Sequence, residues 1–462
     1  MTNGFWNMNV SASLPYRFSL IADTLGGKMK DKLIELVKYD YNKAKIVLLP
    51  FIYLANLYYV KQKPSKHLSF LSTVFRLNWP GTFHFCRTQI KKHFLVDDRN
   101  SLPQCVLEEF LNNIQGIDRY KKFLDDPSAM MPSIITVLAP AKENNKGVLV
   151  IAYSYYFLVF LKSFDFQKVA ESYHIVLEPS WNGLCEDAVL AFACLTSPVF
   201  VMAYEERDYN FLMSLNTNII PVRLSANWWI NPDQFGVDNA SERDIDVIMI
   251  AAWAKFKRHG KFFEALKEIK ETGVQLKVAL VGYPNDLVMA DIERKAESYG
   301  IRDWLEFYEW ISPSEVSSLL SRSKVNVLWS RFEGLNRAII EGMCCNTPCI
   351  VRAGFNFGME YPYINESTGK YATETSLSND LMEIINRYNK FEPRAFIEKN
   401  HNCFIATEIL ADTISHYDES FNKNNLVAKT SELNGMKYIC EQDKEHMQAD
   451  YKYLASLIKN AV

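Results

Sequence analysis

The 462-residue chain is poor in several features that would declare a function class at once. It has almost no net charge: 51 Lys and Arg stand against 54 Asp and Glu, a formal −3, which gives no case for a nucleic-acid binder. Its 9 cysteines are odd in number and scattered, with no C-x-x-C pair, arguing against a secreted disulfide framework and for a reducing compartment. Cys344, Cys345 and Cys349 lack zinc-ligand spacing and read as small buried hydrophobes. No apolar run reaches the ~20 residues of a membrane span. The most hydrophobic stretch, residues 46–60 (IVLLPFIYLANLYYV), is broken by Pro50 and Asn56 and reads as a buried strand followed by a core helix. The first 18 residues lack a basic stretch followed by an apolar core, so no signal peptide is expected, and the expected location is cytoplasmic, at most peripheral at the inner face of a membrane. There is no G-x-G-x-x-G and no G-x-x-x-x-G-K-[ST], which argues against a dinucleotide-dependent dehydrogenase and a P-loop ATPase.

What remains is an ordinary globular composition, 48% apolar and 23% charged, in a chain long enough for two or three domains. The near-neutral charge hides a split. Residues 1–100 hold 15 basic and 6 acidic side chains, +9, and the remaining 36 and 48 make −12. Within the basic region, residues 76–94 interleave Arg76, Arg87, Lys91 and Lys92 with Trp79, Phe83, Phe85 and Phe94. Such a pattern could meet an anionic membrane or a pyrophosphate-linked lipid acceptor, at about 1 kcal/mol per charge near anionic lipid, or could simply be a solvated face beside a core.

From about residue 244 apolar runs of strand length alternate with helical stretches. The runs are 247–253, 276–282, 305–308, 325–330 and 348–353; the helical stretches between them include 260–273, 286–300 and 312–323. In the last, Ser312, Pro313 and Glu315 have the order of an N-cap, a first helical position and a capping box. Buried strands alternating with helices predict a parallel, doubly wound α/β sheet. Earlier, 147–161, 173–181 and 197–209 read as strands separated by helices. The polar residues 226–243 read as an interdomain linker and 418–435 as a second polar stretch. Met447, Tyr451, Leu454 and Ile458 then mark an amphipathic helix.

Residues 325–351 (VNVLWSRFEGLNRAIIEGMCCNTPCIV) carry most of the chemical information. A strand ends near Ser330, a loop carries Glu333 and Gly334, and a helix opens near Asn336 with Glu341 further along it. Ligands of open parallel sheets bind beyond the carboxyl ends of strands, where helix N-termini offer free amides to anions. Two carboxylates so placed could bind hydroxyls; equally, Glu333 could cap the helix and Glu341 could face solvent. The string E-G-L-N-R-A-I-I-E-G-M, followed by N-T-P-C-I-V, resembles the E-x7-E signature of the retaining GT-B glycosyltransferases of family 4. AAWAKFKRHG (251–260), ALVGYPND (279–286) and LEFYEWISPSEVSSLL (305–320) precede it in the family's order. The resemblance runs from about Asp246 to Tyr371.

That resemblance implies a GT-B fold, two Rossmann-like doubly wound domains facing each other across a cleft. Residues 1–235 would bind the acceptor and 240–462 the nucleotide-sugar donor, with the last helix, about 436–460, packing back on the first domain. It implies a metal-independent retaining hexosyltransferase with no cofactor, moving a sugar to a hydroxyl of a glycan or lipid-linked glycan, as in cell-surface polysaccharide or glycoconjugate synthesis. Glu333 would lie by the transferred sugar. Glu341 would hold the ribose, and Gly334, Leu335 and Asn336 would face sugar and diphosphate. The base would rest near Glu309, Trp310 and Ile311, with Gly282 and Lys255 also in the donor site. The family's cations after the first strand fall to Lys257 and Arg258, since Ala252 and Trp253 occupy the usual place of an earlier Arg; such cations can be worth 10²–10³ in rate. The family's histidine in the first domain has no clear counterpart. His174 precedes its strand and reads as structural, leaving Glu178 and Trp181 as candidate acceptor contacts. Asp244-Ile245-Asp246 has the form of a metal-binding Asp-x-Asp but precedes its strand, the wrong end of a parallel sheet for a ligand. The competing readings are a nucleotide-sugar epimerase or phosphorylase on the same fold, and a degenerate glycan-binding GT-B module.

Overall fold

In a computed structural model of the chain, the described residues are 44–78, 80–94, 118–142, 145–236, 243–331, 333, 336–354, 360–432 and 435–459. They belong to two compact units, one including Ile230–Asn402, the other Ala22–Trp229 together with Cys403–Val462.

The sheet of the discontinuous unit is made by β1 (Ile135–Ala139), β2 (Gly147–Ala152), β3 (Tyr173–Glu178), β4 (Val199–Met202) and β5 (Ile219–Val222). They lie side by side in chain order, β1 antiparallel to β2 and the rest parallel. β1 to β4 are buried along their whole length, which is why they read as continuous apolar runs instead of alternating ones. The predicted strand 147–161 stops at Ala152. Tyr153 adopts φ 67°, and Phe157–Ser163 is a helix buried at every residue but Lys162. An apolar run carries no period to tell a buried strand from a buried helix.

Residues 46–60 also differ from expectation, forming one helix, Ala44–Val60, with Pro50 inside it. A lone strand there would leave its backbone groups unpaired, whereas a helix satisfies them internally. It packs on the helix Pro64–Arg76, with the Phe51 and Tyr58 rings 5.9 and 5.4 Å from that of Phe70. Among the described residues no helix is long and apolar enough to cross a membrane.

The unit that includes Ile230–Asn402 holds β6 (Ile245–Ile250), β7 (Val278–Gly282), β8 (Leu305–Glu309), β9 (Ser323–Leu328), β10 (Cys349–Arg352) and β11 (Gly369–Ala372). All are parallel, in the order β11-β10-β9-β6-β7-β8. β6 to β10 are the predicted strands of this half to within a few residues; β11 was not predicted. The chain steps outward from β6 to β8, then returns to the far side of β6 with β9, so the connections leaving β6 and β9 diverge. That divergence is the switch point at which doubly wound sheets bind ligands. Trp253, Phe262, Leu266, Trp304, Val325 and Trp329 are in the core under these strands. The helix Pro313–Ser321 starts as predicted, Ser312 and Glu315 forming a capping box.

After Asn402 come the helix Cys403–Tyr417, the hairpin β12 (Lys429–Glu432) and β13 (Gly435–Tyr438), and the helices Glu441–His446 and Gln448–Ser456. The sequence reading kept 240–462 in one domain, with only its last helix returning to the other. The compact units instead divide at Asn402. Hydrogen bonds account for this: Val427 N donates to Leu138 O at 2.8 Å, Val137 N to the Tyr451 hydroxyl at 3.1 Å, and the Tyr173 hydroxyl to Asp450 at 2.6 Å.

Candidate functional site

Two loops at the carboxyl end of the second sheet build the site. After β6, residues Lys255–Lys257 form one 3-10 turn, and Arg258 takes the left-handed φ of 59° that turns the chain into the helix His259–Glu271. After β9 the chain passes through Ser330, Arg331 and Glu333 to Asn336, whose side chain caps the helix Arg337–Cys344 by accepting from Ile339 N at 3.0 Å. Arg331 N donates to Phe256 O at 2.9 Å, joining the two loops across the switch point. They bring Lys257 Nζ to 2.6 Å from Glu333 Oε1, with the two side chains only 11% and 9% exposed.

More positive charge lies beside this pair. Arg258 makes an ion pair with Glu374, yet its Nε and Nη1 are buried without a hydrogen-bond partner among the described residues. Arg352, at the end of β10, donates through Nε to Ser330 O at 3.0 Å and through Nη2 to Arg331 O at 2.9 Å, so it clamps the loop that carries Glu333. Burial, and then the Arg258 charge, push its guanidinium down to about 10. Burial alone would raise the Glu374 carboxyl, but the Arg258 hydrogen bond and the charges of Arg258, Lys261 and Arg352 outweigh it and hold the group below its usual range. His259, buried with neither ring nitrogen hydrogen-bonded among the described residues, is pushed down to about 3 by burial and by Lys257 and Lys295; its imidazole is neutral at pH 7.

A shallow recess opens beside Glu333, lined by Asn336, Leu328, Ile339, Tyr361 and Tyr363 among others. Trp310 is 47% exposed, held at φ 56°, and its ring lies 5.3 Å from that of Tyr283. The Tyr283 hydroxyl is raised by burial and then by the Glu333 charge. Gly282 is required where it stands: a Cβ would collide with Ala251 O and come within 2.9 Å of the Trp253 ring.

The remaining predicted residues divide. Asn336 joins Glu333 at the recess, while Glu341 is held by Arg337 Nη2 at 3.1 Å. Lys255 bonds Asp286 through its backbone N–H and has an exposed side chain; Ile311 is half-buried. Gly334 and Leu335 lie outside the described residues. Glu178 is a correction: it is 3% exposed and paired with the fully buried Lys429, so its carboxylate is taken up inside the fold and not offered to an acceptor. Trp181 is half-buried and donates to Glu186 at 2.8 Å, with the Arg76 guanidinium 5.5 Å from its ring. His174 is buried and bonded to Asp418 at 3.0 Å. Asp244 is neutralised by Arg322 and Lys277, and Asp246 by Lys324. Cys344, Cys345 and Cys349 are buried free thiols. Arg352, Tyr283, Tyr361 and Tyr363 were not singled out from the sequence. Only Arg352 had left a signal, an arginine closing an apolar strand.

Residues 231–400 match the family model described as Glycosyl transferases group 1. The match takes in 170 of the 462 residues and all but coincides with the unit Ile230–Asn402, the one that holds Lys257 and Glu333. A comparison with curated proteins gives no match. Among solved structures, similar ones include the C-terminal domain of a glycosyl transferase group 1 family protein (LpcC) from Francisella tularensis, at 14% identity and TM-score 0.33 over 37% of this chain and 98% of that one. A second is sucrose-phosphate synthase from Thermosynechococcus elongatus, at 15% identity and TM-score 0.42 over 58% of this chain and 72% of that one. A third is the lipopolysaccharide outer core galactosyltransferase WaaB, at 16% identity and TM-score 0.43 over 66% and 82%.

Proposed function

We propose that the chain is a retaining glycosyltransferase that moves a sugar from a nucleoside-diphosphate donor to an acceptor hydroxyl. The Ile230–Asn402 unit binds the donor, and the other unit binds a glycan or lipid-linked glycan acceptor, with Trp181 as its remaining candidate contact. The observation that carries the reading is the meeting of Lys257 and Glu333 across the switch point, in the segment that matches the glycosyl transferases group 1 model. In the reaction, the bond from the anomeric carbon to the diphosphate oxygen breaks and its electron pair leaves with the phosphate. The acceptor oxygen bonds to the anomeric carbon on the same face, and its proton passes to the departing phosphate oxygen. No protein nucleophile is needed.

Negative charge grows on the leaving group, and Lys257 and Arg258 offset it; preorganised cations of this kind contribute about 10²–10³ in rate. Glu333 orients Lys257 in the free protein and contacts the sugar when the donor arrives. Asn336 lies along sugar and diphosphate, a part the family resemblance also gives to Gly334 and Leu335, Glu341 binds the ribose after leaving Arg337, and Trp310, Ile311, Gly282 and Lys255 surround the base end. No metal takes part, so chelation with EDTA leaves the rate unchanged. The family-level pathway, synthesis of a cell-surface polysaccharide or glycoconjugate, is part of the same proposal.

The test is nucleoside diphosphate release from a panel of nucleotide sugars, with and without acceptor. Transfer is expected from one donor class, with Glu333→Gln and Lys257→Ala each slowing it about 10²–10³-fold. Wild-type rates in both Glu333→Gln and Glu341→Ala would refute the assignment.

A further inference from the structure

The outward face of the helix Ala44–Val60 has a composition that water does not explain. Lys45 is the one charged residue among its 17. Leu48, Phe51 and Ala55 are buried, while Leu49, Tyr53 and Val60 are 70%, 67% and 77% exposed. Separations of four and seven residues put the exposed three in a single stripe about 16 Å long, with the exposed amide of Asn56 between Tyr53 and Val60. Single exposed apolar side chains are ordinary, but a surface helix in water carries charged residues on this face, and a stripe of large apolar side chains without a charge marks an interaction site.

Charge gives the second observation. No Asp or Glu stands between Asp40 and Asp97, a stretch that contains the helices Ala44–Val60, Pro64–Arg76 and Thr82–Phe94. Arg76 is taken up by Glu186 at 2.9 Å, and Arg87 is half-buried. Cations remain at the carboxyl end of the stripe. Lys61 and Lys63 are exposed, and Lys66 and Lys92 lie 5.6 and 4.9 Å from the Tyr58 and Tyr59 ring centroids.

We propose that this face docks on an anionic lipid bilayer. Leu49, Tyr53 and Val60 enter the boundary between headgroups and acyl chains, and Lys61, Lys63, Lys66 and Lys92 meet anionic headgroups. A second copy fits the face less well, because two surfaces rich in lysine, with no carboxylate contributed by residues 41–96, repel. A nucleic acid would answer the lysines and leave the apolar stripe without a role. The surface is centred on 44–66, displaced from the 76–94 segment the sequence had suggested, and it is independent of the transfer reaction.

The experiment is co-sedimentation of the full chain with vesicles of phosphatidylcholine alone or mixed with phosphatidylglycerol, at low and high salt. Binding is expected to the mixed vesicles, at least about tenfold above the neutral ones and weakened by salt, with Lys61→Gln and Lys63→Gln each lowering it about fivefold. Leu49→Asp, Tyr53→Asp and Val60→Asp together should abolish it with an unchanged melting temperature; if that triple variant melts early, the three alanine substitutions replace it. Lys390→Gln, at an exposed position of the other unit, should bind as wild type. Equal partition into both vesicles, wild-type binding by the stripe variants, or no vesicle binding alongside a dimer that the stripe variants dissociate would each overturn the proposal. So would RNA binding that vesicles fail to displace.

Discussion

In the first sheet every strand lies beside its predecessor, whereas the second turns back between β6 and β9, and the charges at the two sets of strand ends are disposed of differently. Glu178, the last residue of β3, is closed off by Lys429, while Glu186 is held by Arg76 and Trp181 through one oxygen and leaves Oε1 without a hydrogen-bond partner among the described residues. At the second sheet Lys257, Arg258 and Arg352 gather around two carboxylates, Glu333 and Glu374, and Arg352 is held by carbonyl oxygens. Buried charges satisfied by each other hold a fold together and have nothing left for a ligand. A surplus of cations where two loops diverge is prepared for an anion. Strand ends in a parallel sheet are therefore equivalent in geometry and become a site only where connectivity and charge balance both allow it.

The strongest way to break this contrast is at Glu178. Glu178→Ala leaves Lys429 buried and unpaired, and is expected to destabilise the protein by about 3–5 kcal/mol in urea unfolding. Pairing it with Lys429→Met should restore most of the loss. A fully stable Glu178→Ala protein with a raised KM for acceptor would instead make Glu178 a ligand contact. Arg352→Lys keeps the charge but cannot span both loop carbonyls. It should lower kcat about tenfold with the donor KM nearly unchanged, whereas a direct diphosphate contact would show first in KM.

The remaining prediction concerns His259. Its folded pKa of about 3 lies below the 6.5 of an unfolded histidine, so between these values the unfolded chain binds the extra proton. Its contribution is present above pH 6.5 and is lost as pH falls toward 3. Melting curves between pH 7 and about pH 4 should decline less steeply for His259→Phe than for the wild type, and parallel curves would show that the ring is not responsible.

How far the sequence could be read followed the range of the interactions. β6 to β10 were legible because buried parallel strands are apolar runs bounded by turn residues, and the Ser312 cap because its signal spans three positions. Glu333 was visible from its place between a strand end and a helix start. Arg352 left only the faint signal of an arginine closing an apolar strand, since its partners are carbonyl oxygens brought near by folding, which no side-chain pattern encodes. Glu178 was misjudged because Lys429 lies 251 positions along the chain. The helix at 44–60 was read as core because hydrophobicity reports a preference to leave water and not what receives the face.

The division at Asn402 bears on the order in which the protein can be made. In sequence the segment Ile230–Asn402 falls between Ala22–Trp229 and Cys403–Val462, the two pieces of the other unit, whose β1, β3 and Glu178 wait for residues 427–451. On a ribosome the segment Ile230–Asn402 can fold before the other unit is complete, since that unit keeps an incomplete edge until residues 427–451 emerge.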